Sequence, residues 1–304
     1  MKIVYAGSPQ YAVAPLKALI DAGCEVVAVL TQPDKPTGRK RVLTPTPVKE
    51  FALSHGIPVC DFVKVREHVE ELKSFGADLM ITCAYGQLLT DDILNAFPLG
   101  VYNLHASLLP LYRGASPIQS AILAGEEYTG VTVMKTELAL DCGGILLVKR
   151  CKVGGRTCGE LSEELSELSA TAAVEAVEIL KEGEPQLLLQ DEARATYCKK
   201  ISKADAAVDF KEPAQKIANL INAMSPSPAA FAYLNGAAVN LLKAAPCEGS
   251  GECGAVLSAD KRGVVIACGE GAVCVSLLQF AGGKAIAAAD AVNGRKIKAG
   301  DKFD

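Results

Sequence analysis

The sequence predicts an α/β chain in which a mostly parallel sheet, covered by helices on each side, is followed by a small all-β barrel. Three observations carry this prediction. Short apolar runs recur through the first half and are apolar at successive positions, as strands buried between two helical layers are. Helical stretches separate those runs. Beyond about residue 209 the pattern changes to short strands broken by frequent glycine turns, the habit of a small barrel. With 304 residues, 50% hydrophobic and 22% charged, the chain can bury one large core and a smaller one.

KIVYAG opens as a strand ending at Gly7, AVAPLKALIDAG follows as a helix closed by Gly23, and CEVVAVLTQ is the second strand. GADLMITCAYG supplies another, from Asp78 to about Ala84, and GVYNLHAS the next. Open α/β sheets bind ligands beyond the carboxyl ends of their strands. Gly7, Gln32, Tyr85, Gly86 and His105 fall at or just past such ends. GVTVMKTE and GILLVKR then enclose LALDCG, a hairpin-like or crossing loop that carries Asp141. TCGE reads as a capping box, Thr157 with Glu160, starting a helix that stops near Gly183. Periodicity weakens from about 186 to 208, which reads as an extended linker. A short helix over Pro213 to Asn222 precedes the barrel strands.

The formal net charge of −4 argues weakly against a nucleic-acid partner. Residues 200–304, however, hold 12 Lys/Arg against 10 Asp/Glu, so an acidic chain can still carry a basic face. The 11 cysteines are odd in number, scattered and without CxxC, and no long apolar span appears. The expectation is a reduced cytoplasmic chain with no membrane helix. Cys247, Cys253, Cys268 and Cys274 read as small buried hydrophobes rather than as a zinc site. MKIVYAGSPQ lacks GxGxxG and GKS/T, which disfavours dinucleotide and P-loop use.

The candidate chemistry lies in YNLHASLLPLYRGASPIQSAI. Residues i and i+2 of a strand share a face, so Asn103 and His105 point together. An asparagine amide can hold a carbonyl oxygen as it gains negative charge. A histidine can move a proton near neutrality. Pro110 turns the chain and displays Arg113. Ser116 is placed as N-cap and Pro117 at the first helical position. Asp141 is placed to orient His105 or to relay a proton through water, with a solvated turn residue as the other reading. AYGQLL, residues 84–89, suits a flat-ring pocket or the packing of the next helix. In TQPDKPTGRKRVLTPTPVKE, Pro33, Pro36, Pro45 and Pro47 frame Arg39, Lys40 and Arg41. That is a solvated basic loop, or a phosphate-binding loop for a nucleic-acid end.

NLHASLLPLYRGASPIQSAI resembles the signature of the folate-dependent formyltransferases. AGSPQYAVAPLKAL, TQPDKPTGRKRVLTPTPVK, YTGVTVMKTELALDCG and KISKADAAVDF resemble the branch of that family that acts on methionyl-tRNA. The resemblance runs from Met1 to roughly Asp209, and more weakly to GEGAVCVSLLQFAGGKAI. It implies a Rossmann-like catalytic domain over 1–189, a linker over 190–208 and an OB-like, tRNA-binding β-barrel over 209–304. It implies transfer of the formyl group of the cosubstrate 10-formyltetrahydrofolate to the α-amine of methionyl-initiator tRNA, with no metal and no obligate protein partner.

The resemblance puts the catalytic trio on Asn103, His105 and Asp141. Folate would lie against Tyr85, Gly86, Gln87, Leu88 and Leu89, against Ser107, Leu108, Leu109 and Pro110, and against Leu138 and Leu140. Arg39, Lys40, Arg41 and Arg113 would meet the tRNA. Tyr112, Cys142 and the SPSPAA segment at 225–230 depart from the family pattern. Two other readings remain: a formyltransferase for an amino sugar or glycinamide ribonucleotide, and a non-catalytic RNA-binding module.

Overall fold

In the computed structural model, which describes residues 1–38 and 41–304, the first apolar run becomes β1 (Lys2–Gly7), buried beyond its first residue. Helix α1 (Val13–Asp21) leads to β2 (Glu25–Leu30), with Gly23 at φ +74° between them. That left-handed value suits a residue without a Cβ. The basic segment forms a hairpin of β3 (Lys35–Thr37) and β4 (Val42–Thr44). The chain continues through α2 (Pro47–Ser54), β5 (Val59–Cys60), α3 (Val69–Ser74), β6 (Leu79–Cys83), α4 (Asp91–Leu94) and β7 (Val101–His105). Next come β8 (Arg113–Gly114), α5 (Pro117–Leu123), β9 (Tyr128–Lys135), β10 (Ile145–Lys152), α6 (Cys158–Lys181) and β11 (Tyr197–Cys198).

The main sheet has the order β10-β9-β7-β6-β1-β2-β5. β1 pairs in parallel with β2 and β6, β6 with β7, and β2 with β5. Only the β7–β9 pairing is antiparallel among those whose register is resolved, with His105 opposite Thr132. The strand order reverses between β1 and β6, so loops leaving these two strands diverge and open a crevice. Val4, Ala6, Leu30, Met80, Ile93 and Val101 build the core on one face.

The chain packs as two units, and no single cut separates them. The first takes Met1–Gly114, Thr129–Cys151 and Ser162–Tyr197; the second takes Ala115–Tyr128, Lys152–Leu161 and Cys198–Asp304. The sequence reading ended the catalytic stretch at 189. Residues 190–197 instead pack with the first unit, where Thr196 accepts from the Arg113 backbone N–H at 2.8 Å and, through Oγ1, from that of Tyr112 at 2.8 Å. The α5 segment belongs to the second unit because it packs on α7 (Ala214–Ala223).

In the second unit the expected capping box is present: Thr157 N–H donates to Glu160 Oε2 at 2.9 Å, and Glu160 N–H to Thr157 Oγ1 at 3.3 Å. Pro117 does open α5, but the Ser116 side chain does not cap it. Its hydroxyl accepts from the Ile201 N–H at 3.3 Å instead. The barrel strands are β12 (Ala230–Leu234), β13 (Ala237–Cys247), β14 (Val256–Asp260), β15 (Gly263–Ala267), β16 (Ala272–Phe280) and β17 (Ala285–Ala287), followed by α8 (Ala288–Asn293). Their order is β12-β13-β16-β15-β14, with β17 on β16. Phe303 bridges Leu234 and Lys302 bridges Ala255, so the last residues close the sheet between its two edge strands. Ile217, Ile221, Leu241, Ile266, Val275 and Phe303 fill the interior. Among the described residues no helix is long and apolar enough to cross a membrane.

Candidate active site

β7 carries Asn103 half-buried and His105 only 6% exposed. The two alternate with buried Leu104 and so share a face. The imidazole is held by Nε2–H donation to the Tyr112 carbonyl at 3.0 Å. A carbonyl oxygen can only accept, which leaves Nδ1 as the exchangeable position. Asp141 Oδ2 lies 3.6 Å from that Nδ1, an ion-pair distance longer than a hydrogen bond. The same oxygen accepts from the Gly114 N–H at 2.8 Å. The approach is not obvious from topology. Because β9 runs antiparallel to β7, Lys135 lies beside Tyr102. The segment that follows must therefore run back along β7 to bring Asp141 to His105. Gly143 permits this. A Cβ there would stand 1.8 Å from the Lys135 carbonyl oxygen.

Three non-glycine residues around the site adopt left-handed backbone: Ala84 at φ +49°, Tyr112 at +61° and Asp141 at +50°. Each such residue costs on the order of 1–3 kcal/mol and persists only where its surroundings over-determine it. Ala84 directly follows β6, while Tyr112 and Asp141 lie within the loops after β7 and β9, the loops that carry the candidate chemistry.

Thr82, buried in β6 opposite Asn103, donates its hydroxyl to Asn103 Oδ1 at 2.9 Å. That bond fixes the amide so that its NH2 points away from Thr82. The sequence reading missed Thr82, although a lone hydroxyl inside the apolar run LMITC was a usable signal. We expect Thr82→Val to lower kcat for the reaction proposed below by roughly 2- to 13-fold, matching the ~0.5–1.5 kcal/mol net worth of one hydrogen bond. Thr82→Ser should restore it. Unchanged kcat in the valine variant would show that Asn103 is oriented without this bond.

The loop after β6 is mixed in character. Leu88 is 83% exposed, while Tyr85 is 4% exposed with its hydroxyl unpartnered. Gln32 Nε2 donates to the Tyr85 carbonyl at 3.1 Å. The Gln87 side chain is engaged on both sides, accepting from Val65 N–H at 2.8 Å and donating to the Phe62 carbonyl at 2.7 Å. It staples two loops, and its second N–H and second oxygen lone pair remain for a ligand. Ser107 is fully buried, donating to the Leu111 carbonyl at 2.6 Å. Leu109 packs with Met134 and Ile145 in the interior. Of the 107–110 run, only Leu108 and Pro110 are half-buried. Leu138 and Leu140 are exposed, as a ligand-facing role requires.

Arg113 is a correction. The sequence reading displayed it toward tRNA; the structure leaves it 1% exposed, paired with Glu192 at 2.6 Å. Its guanidinium is turned inward because residues 190–197 return to cover it. The Glu192 carboxylate in turn is held below the usual carboxylate range by its hydrogen bond to Arg113. Arg41 is exposed at the hairpin turn, φ +50°, beside exposed Val42 and Leu43; Arg39 and Lys40 lie outside the described residues. A cavity of about 510 Å³ opens next to the 137–142 loop, lined by Glu137, Leu140, Cys142, Glu192 and Tyr197 among others. Burial first, and then the Glu137 carboxylate, push the Cys142 thiol above its ordinary pKa, which keeps it protonated near neutrality. All the cysteines are free.

The family profile described as "Formyl transferase" matches residues 1–177, and that described as "Formyl transferase, C-terminal domain" matches residues 200–296. The methionyl-tRNA formyltransferase of Chromobacterium violaceum is 44% identical over 307 residues, spanning 100% of this chain and 99% of that protein. That of Ectopseudomonas mendocina is 44% identical, spanning 97% and 95%. Among solved structures, the N-formyltransferase of Helicobacter canadensis, in complex with folinic acid and dTDP-3-aminofucose, superposes with a TM-score of 0.69 at 17% identity, covering 92% of this chain and 99% of its own. That likeness carries the fold, while the curated relatives carry the closer kinship. A mostly parallel sheet with its candidate site at one edge, a closed antiparallel barrel and full-length identity above 40% agree: the chain belongs to the methionyl-tRNA formyltransferases.

Proposed function

We propose that this enzyme moves the formyl group of 10-formyltetrahydrofolate onto the α-amine of methionyl-initiator tRNA, giving N-formylmethionyl-tRNA for translation initiation in the cytoplasm. The observation that carries the reading is one face of β7 presenting Asn103 and His105, with Asp141 at 3.6 Å from His105 Nδ1. Attack of a neutral amine on a formyl carbon puts negative charge on the formyl oxygen. Asn103, its Oδ1 occupied by Thr82, has its NH2 free to meet that oxygen. The transfer is proton-neutral: the attacking nitrogen must lose a proton and the departing folate nitrogen must gain one. His105 exchanges protons at Nδ1, on the side where Asp141 stands. The His105 Nε2–H is already committed to the Tyr112 carbonyl, which favours the proton-moving role.

Folate is assigned to the 84–89 and 137–144 loops, where Leu88, Leu138 and Leu140 stand exposed. The discriminating experiment offers purified enzyme labelled 10-formyltetrahydrofolate and a panel of amines: methionyl-initiator tRNA, an amino-sugar nucleotide and glycinamide ribonucleotide. Label appearing on either small amine and not on the tRNA would reject the acceptor.

The basic hairpin is assigned to tRNA phosphates. Replacing Arg39, Lys40 and Arg41 together with Ala should raise KM for methionyl-tRNA and leave binding of the formyl donor unchanged. The slope of log affinity against log salt should shallow by about 0.7–0.9 for each phosphate that the variant no longer neutralises. An unchanged slope in filter-binding titrations would remove the hairpin from the tRNA interface.

A further inference from the structure

Arg113 and Gln190 interlock beside the candidate active site. All five guanidinium N–H groups of buried Arg113 have acceptors. Nε and Nη2 donate to Gln190 Oε1 at 3.1 and 2.8 Å, and Nη1 and Nη2 donate to the two Glu192 carboxylate oxygens at 2.9 and 2.6 Å. Nη1 also donates to the Tyr197 hydroxyl at 3.2 Å. Gln190 is saturated in the same way. Its Oε1 accepts twice from Arg113, and its Nε2 donates to the backbone carbonyls of Asp141 at 2.9 Å and Gly143 at 2.8 Å.

This geometry removes the usual freedom of an amide to flip. The guanidinium only donates, so Gln190 must turn Oε1 toward it and NH2 toward the 141–143 backbone. Asp141 is thereby gripped at two points. Gln190 holds its main-chain carbonyl, and the N–H of Gly114, the neighbour of Arg113, holds its carboxylate. Its left-handed φ of +50° is the conformation such a double grip maintains.

We propose that Gln190, locked by Arg113, is a positioning residue that sets Asp141 against His105, and so tunes formyl transfer from 49 residues downstream. The proposal rests on Asp141 belonging to the catalytic trio. Gln190→Glu tests it at nearly constant shape. Glutamate still accepts from Arg113 but turns an acceptor, not a donor, toward two carbonyls. With Asp141 present, kcat in single-turnover formylation of methionyl-tRNA should fall on the order of ten- to a hundredfold, as small misplacements of reacting groups do. In an Asp141→Asn background the same change should cost less than about threefold, because a residue acting through Asp141 has nothing left to position.

Hydrogen exchange gives a second readout: peptides covering 137–144 should exchange faster in Gln190→Glu while the barrel strands do not. If that variant fails to fold, Gln190→Met, of equal length and without donors, takes its place. Equal losses in both backgrounds, or unchanged exchange of the loop, would overturn the proposal and leave Asp141 catalytic. Full turnover by Asp141→Asn alone would instead remove Asp141 from the trio, and the proposal with it.

Discussion

Replacement of Asn103 by alanine is expected to lower kcat/KM for formylation of methionyl-tRNA by ~10²–10³, about 2.7–4 kcal/mol of transition-state stabilisation. The loss is large because the donor is pre-aimed. Thr82 holds Oδ1, so no reorganisation is needed when charge appears on the formyl oxygen. Asn103 is only half-buried, and its truncation should leave the strand and the thermal midpoint nearly unchanged. Binding of the formyl donor should survive, since the ground-state carbonyl makes weaker demands than the oxyanion. Asn103→Asp is the sharper variant. It keeps the acceptor for Thr82 but replaces both N–H groups with a negative charge facing a developing negative charge. If Asn103→Ala turned over at a near-normal rate in rapid-quench assays, another donor would have to be holding the oxygen.

Loss of the imidazole should be as severe. His105→Ala is expected to reduce kcat by ~10²–10⁴, the usual worth of a positioned general acid–base group. The ring also ties the Tyr112 carbonyl at 3.0 Å, so the variant must be checked for folding by thermal unfolding and for donor binding by calorimetry. Added imidazole should restore part of the rate, because the buried site of the ring leaves a space of its own shape. The Asn103→Ala, His105→Ala double variant should be less impaired than the product of the single losses, since the two groups serve one transition state. Failure of imidazole rescue together with intact donor binding would point to a structural role for His105.

The parts of this molecule that a reader of the sequence can reach are those governed by local period. β1, β2, β6 and β7 stand out as apolar runs, Thr157 and Glu160 announce the start of α6, and alternation alone places Asn103 beside His105. Asp141 is harder. The resemblance names it, but its approach depends on β9 running against β7 and on Gly143 admitting a backbone crossing. Arg113 was misjudged for a related reason. An arginine after a proline turn looks exposed until Gln190 and Glu192, 77 and 79 positions later, fold over it. Ser116 shows the same limit on a smaller scale, since the hydroxyl that fits an N-cap is claimed by Ile201. Long-range hydrogen bonding leaves no period to read.

The missing Cβ at Gly143 also sets terms for anyone wishing to retarget the enzyme by directed evolution. A library over residues 137–144 would not be uniformly tolerant. Leu138 and Leu140, at 62% and 56% exposure, can be randomised without cost to the fold, and selection there acts on the surface proposed for folate. Position 143 cannot: even alanine would drive a methyl group to 1.8 Å from the Lys135 carbonyl oxygen. Relief there would have to come from the backbone and so would displace Asp141. At 144 the nearest atom to an added Cβ is the Leu187 Cβ at 2.8 Å, so a second change at 187 is the natural companion mutation. Diversity in this loop is best concentrated on its exposed stretch and withheld from the hinge of glycines that returns the chain to the sheet.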